Sequence, residues 1–143
     1  MLPRLRAEAT GHNPLVRTPR RYLEYFPSSP AGARGARSDV REFIAQWLRG
    51  PEATDFESAV GEALANVAEH AGATQMTVSC VVEADAMVVE ICSDGPGFTP
   101  PGQVEPPAAG ALRGYGLFIM RRMVDSVEFF DEGRGVRLVR RLR

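Results

Sequence analysis

At 143 residues, with 44% apolar and 24% charged residues, the chain has the size and composition of one ordinary globular domain with a real core. All seventeen basic residues are arginines. A chain without lysine cannot build a Walker A loop, a Schiff base or the strand lysine of a eukaryotic-type kinase, and a formal net charge of −1 is no footprint of nucleic-acid binding.

Residues 1–20 hold Pro3, Gly11, Pro14 and Pro19 with little apolar material and read as a flexible arm. The ordered domain is expected over 21–143. Tyr22, Leu23, Tyr25 and Phe26 form a short aromatic strand, broken by Pro27 to Pro30. Val40, Phe43, Ile44, Trp47 and Leu48 recur at helical spacing, which predicts a helix from Ala33 to Leu48, ended by Gly50-Pro51. Thr54 or Asp55 is suited to cap a second helix with Phe56, Val60, Leu64, Val67 and Ala68 on its packed face, closed by His70-Ala71-Gly72.

Met76, Val78, Cys80 and Val82 alternate with more polar residues, the chain turns over Glu83 to Ala86, and Met87, Val89 and Ile91 alternate again. This is an antiparallel hairpin with Asp94 at the end of its second strand. Residues 99–113 are too rich in Pro and Gly for a regular element and read as a lid. A helix from Leu117 to Val124 and a second hairpin, Ser126 to Phe130 with Val136 to Leu142, complete the order. Clustered helices and hairpins, without βαβ repeats, predict an α+β fold: a two-layer sandwich whose mixed, mostly antiparallel sheet is covered by helices on one face. Cys80 and Cys92 lie in alternating apolar runs and read as strand thiols. No apolar run is long enough to span a bilayer, and the N-terminal residues lack the hydrophobic block of a secretory signal. A cytoplasmic protein is expected, with no membrane and no direct nucleic-acid partner.

Three segments carry chemistry. Glu62, Asn66 and His70 fall at i, i+4 and i+8 on one helical stripe. Asn66 can complete the shell of a Mg²⁺ ion bound mostly by phosphates and water, and Glu62, one turn earlier, can take a proton from an attacking hydroxyl. Asp94, at a strand end, is suited to accept a hydrogen bond from an exocyclic amine such as that of adenine, while Gly95 and Gly97 let backbone approach a ligand. Gly114, Tyr115, Gly116 and Leu117 open a helix whose first amides can face phosphates, with Arg113 adding a charge. Taken singly, each has an ordinary structural explanation. Their order and placement together point to an ATP site built without a P-loop.

With these residues the chain resembles the GHKL (Bergerat-fold) ATPase and kinase superfamily. Within it, the run from Gly114 to Val127 is most similar to the anti-sigma-factor serine/threonine kinases of bacterial partner-switching systems. The resemblance covers residues 22–142. It places Glu62, Asn66 and His70 in the N box, Asp94, Gly95 and Gly97 in the first glycine box, and Gly114 and Gly116 in the second. It implies Glu62 as catalytic base, Asn66 as the Mg²⁺ ligand and Asp94 as the reader of adenine, with ATP and Mg²⁺ as cofactors. Expected partners are a sigma factor and an anti-anti-sigma protein with a STAS fold, and homodimerisation is a further expectation. One departure stands out: the family often has a Thr after its last glycine motif, whereas Gly135 is followed here by Val136. A non-catalytic nucleotide-binding module that captures its partner stoichiometrically is the alternative the resemblance leaves open.

Overall fold

The computed structural model describes residues 20–70, 74–95 and 120–142. Among them the order of elements is β1 (Arg21–Pro27), α1 (Pro30–Ala45), α2 (Gly50–His70), β2 (Gln75–Glu83), β3 (Ala86–Ser93), β4 (Ser126–Phe130) and β5 (Gly135–Arg141). Residues 120–123 are helical, and a 3₁₀ turn at Asp131–Gly133 joins β4 to β5.

The five strands form one sheet in the order β1-β2-β3-β5-β4, and every pair among the described residues is antiparallel. The register aligns one face in rows. Val78, Ile91, Val136 and Phe129 lie side by side, then Cys80, Val89, Leu138 and Val127. That face is covered by α1, packed on β1 and β2, and by α2, packed on β3 and β5. Phe56, Ile44, Leu64, Met76, Met87, Ile91 and Leu138 are fully buried between the layers. The α+β two-layer architecture read from the sequence is the one the chain adopts.

Both helices begin earlier than their apolar spacing predicts, and proline is the reason each time. Ser29 caps α1 by accepting a hydrogen bond from Gly32 N at 3.1 Å, and Pro30 opens the first turn. There its fixed φ is preorganised and its missing N–H is not needed. Pro51 does the same for α2, which starts at Gly50 rather than after Thr54 or Asp55. The Thr54 hydroxyl donates back to the Gly50 carbonyl at 3.3 Å, one turn inside the helix. Within α2 the packed face uses Ala59 and Ala63 beside Phe56, Val60, Leu64 and Val67, while Ala68 is only half-buried. These two alanines let α2 lie close to the sheet. Arg41 ties the helices together, with Nε and Nη2 each 2.7 Å from Glu57 Oε1.

Candidate nucleotide site

α2 carries Glu62 and Asn66 one turn apart, and both side chains are half-buried. Asn66 lines a depression between α2 and the end of the sheet, together with Ala63 and Val67 from its own helix, Met120, and Phe129, Gly133, Gly135 and Val136. Its floor is apolar, with the Asn66 amide as the polar side chain among these residues. An apolar lining with a few oriented polar groups is the chemistry of a small-molecule site.

Two of the glycines have steric reasons. A Cβ on Gly135 would lie 2.3 Å from the Phe130 ring, so the ring can cover this end of the sheet only because residue 135 has no side chain. Gly133 has φ +84°, and Asp131 and Glu132 before it also have positive φ, at 53° and 56°. For the two non-glycine residues this conformation costs roughly 1–2 kcal/mol each. Val136, only 3% exposed, occupies the position where the resemblance leads one to expect Thr. It offers the depression methyl groups in place of a hydroxyl.

Asp94 follows directly on β3, as expected. Its carboxylate is held at the start of β2: Oδ1 accepts from Thr74 N at 2.9 Å and Gln75 N at 3.0 Å, and Oδ2 accepts from the Thr74 hydroxyl at 2.8 Å. The Gln75 backbone bond first, then the Thr74 hydroxyl, keeps this carboxyl below the usual carboxylate range. Three of its four lone-pair positions are therefore engaged within the protein. The next residue is also anchored. The Gly95 carbonyl accepts from Arg134 Nε at 2.9 Å, and Arg134 Nη1 lies 3.4 Å from Asp131 Oδ1. Arg134 thus links the turn after β3 to the turn before β5.

Thr74 and Arg134 were not singled out from the sequence. Thr74 lies 20 residues from its partner and Arg134 lies 39 from its own, separations at which local pattern carries no signal. Gly97, Arg113, Gly114, Tyr115, Gly116 and Leu117 lie outside the described residues, as do the side chain of His70, the expected lid and all of the expected N-terminal arm but Arg20, whose carbonyl accepts from Val82 N at 2.8 Å.

Among the described residues no group of three or more His, Cys, Asp or Glu is placed to hold a metal ion. A cation beside Asn66 would therefore take most of its ligands from phosphate and water, which is how Mg²⁺ binds with nucleotides. The neutral amide fits that donor set. Among the described residues, no helix is long and apolar enough to cross a membrane.

The fold is that of an ATPase-type domain of the GHKL class. The chain belongs to the histidine kinase-like ATPase domain family, whose model matches residues 26–140. Among solved structures it is similar to the RsbU and RsbW domains of Rv1364c from Mycobacterium tuberculosis, at 18% sequence identity and a TM-score of 0.63. That match covers 89% of this chain and 34% of the other, so the chain spans about a third of that protein's length. The likeness is one of fold. No curated protein matches the chain.

Proposed function

We propose that the protein is an ATP- and Mg²⁺-dependent protein serine/threonine kinase. In this reading it acts as an anti-sigma factor in a partner-switching system and phosphorylates an anti-anti-sigma protein with a STAS fold. The observation that carries this is the placement of Glu62, half-buried, one helical turn before an Asn66 that lines the depression. A module that only held nucleotide would gain nothing from a carboxylate at that place. Family membership and a fold neighbour that includes an RsbW domain support the same reading.

Residues 21–143 form the catalytic unit in this proposal, with residues 1–20 as an arm beside it. The Asn66 amide oxygen would hold Mg²⁺. When bound, the ion neutralises charge on the phosphates. Glu62 accepts the proton of the attacking seryl or threonyl hydroxyl as its oxygen bonds to the γ-phosphorus, and the bond to the β-phosphate oxygen breaks to release ADP. The apolar floor of Val136, Phe129 and Met120 excludes water from one side of the nucleotide.

The test is phosphate transfer from ATP to the cognate STAS protein. Glu62→Ala should lower the rate by about 10²- to 10⁴-fold with nucleotide affinity retained, and Asn66→Ala should abolish the Mg²⁺ dependence of binding. A fully active Glu62→Ala would refute the mechanism. Val136 in place of a hydroxyl favours the second reading, stoichiometric capture of a partner without transfer. In that case calorimetry would show partner binding while no phosphate moved in the wild type.

A further inference from the structure

Strand parity at the end of β3 separates two adjacent residues. Met87, Val89 and Ile91 all face the helices and are fully buried, so the period of two puts Ser93 on that face and Asp94 on the other. Ser93 pairs with Met76, which is only 1% exposed. Its backbone N–H donates to the Arg134 carbonyl at 2.8 Å, carrying the β3–β5 pairing one step past Gly135. The residue therefore stands beside the Gly133–Gly135 rim of the depression that Asn66 lines.

The Ser93 Oγ atom is buried and has no hydrogen-bond partner among the described residues. A hydroxyl withdrawn from water without a partner is unfavourable, and a ligand atom in the depression would relieve it. Asp94 is in the opposite situation. It is exposed, and its carboxylate is spent on Thr74 and Gln75, which it fastens to the end of β3.

We propose that the Ser93 hydroxyl, rather than the Asp94 carboxylate, meets the base edge of the bound nucleotide, and that the site accepts purine nucleoside triphosphates with either an amino or an oxo group at position 6. This rests on the nucleotide-binding reading above and assigns its specificity. A carboxylate only accepts hydrogen bonds, so it favours the adenine amine and repels the guanine carbonyl. A hydroxyl rotates, accepting from the one or donating to the other. Ser93 is a specificity-determining residue, and Asp94 is a fastening between β2 and β3.

The experiment is calorimetric titration of the full chain with Mg·ATP and Mg·GTP, for the wild type and for Ser93→Asp, Ser93→Ala and Asp94→Asn. Wild-type affinities for the two nucleotides should agree within about tenfold, the weak discrimination expected where no group is left unpaired by either base. Ser93→Asp should shift the ratio toward ATP by about 100-fold, Ser93→Ala should weaken both, and Asp94→Asn should keep the wild-type ratio. The wild-type ratio is informative whether or not each variant folds. Strong wild-type rejection of GTP, lost in Asp94→Asn and untouched in Ser93→Ala, would overturn the assignment while leaving nucleotide binding intact. Failure of the wild type to bind either nucleotide would overturn the functional reading as well.

Discussion

Replacing glycine by alanine at three helical positions should give three different results. In a helix interior alanine is favoured over glycine by about 1 kcal/mol, so the sign of each change depends on what the new methyl group meets. At Gly32 it would lie 1.8 Å from the Pro27 carbonyl oxygen and 2.8 Å from its carbon. Both are backbone atoms. An ordinary carbon–oxygen contact is about 3.3 Å, so the first turn of α1 and the end of β1 would have to part by roughly 1.5 Å. The corner between them is closed by Ser29 N to the Pro27 carbonyl at 2.9 Å and Ala33 N to the Ser29 carbonyl at 2.8 Å. Losing the Ser29 cap costs about 1 kcal/mol, and forcing a methyl group into filled space costs about 1–3 kcal/mol. After the propensity gain, Gly32→Ala should destabilise by about 2 kcal/mol. At Gly35 the nearest atoms belong to the Phe26 ring, 3.6 Å away, an ordinary contact, and Gly35→Ala should stabilise by about 0.5–1 kcal/mol. At Gly61 the methyl group would meet the Arg37 guanidinium at 2.9 Å. That guanidinium ends a flexible, 45% exposed side chain, only 4.0 Å from Glu57, so it can swing aside and Gly61→Ala should fall between neutral and stabilising. Urea unfolding followed by circular dichroism would read the order of midpoints, provided the slopes match. A Gly32→Ala protein as stable as the wild type would refute the steric reasoning, because propensity alone predicts the same gain at all three positions.

Three other outcomes follow from particular contacts. Asp94→Asn should be less stable than the wild type at neutral pH. Because the folded carboxyl lies below its ordinary value, its contribution is complete above about pH 4 and is lost as pH falls through the folded-state value, so the two unfolding curves should converge in acid. Tyr22→Phe removes a buried hydroxyl that donates to Asp39 Oδ2 at 2.6 Å. It should cost about 1.5–3 kcal/mol, measured by denaturant midpoint. Burial first, then Asp39, pushes the Tyr22 phenol up, so this contribution should hold below about pH 10 and decline above it. Native alkylation read by mass spectrometry should label Cys92, half-buried on the open face of the sheet, before Cys80, which burial raises well above a free thiol. Equal rates would show that the sheet opens before either thiol reacts.

The sheet was legible because a two-layer fold imposes a period of two on its strands. Val78, Cys80 and Val82 on β2 and Met87, Val89 and Ile91 on β3 declare their buried face without any knowledge of their neighbours. Helix starts were less legible, since a proline reads equally as the end of one element and the beginning of another. At Pro30 and Pro51 the structure resolves this in favour of the beginning, and for Pro30 the deciding residue is the serine just before it.

Of the candidate site, the helical stripe was legible for the same reason as the strands. Residues 62 and 66 share a face on any α-helix, and the depression forms where Asn66 meets the sheet. Asp94 shows what proximity in sequence does not carry. An acid beside glycine draws attention, yet its three hydrogen bonds come from residues 74 and 75, and nothing local announces them. The alternation that located β3 also bears on its last position. Extended by one step past Ile91 it falls on Ser93, so the helix-facing side of the sheet presents a hydroxyl there, while the neighbouring carboxylate bonds to residues 74 and 75. Along an extended strand, one residue of displacement exchanges the interior for the solvent. A functional residue at a strand end is therefore assigned by counting from the buried positions before it, and its chemical prominence comes second.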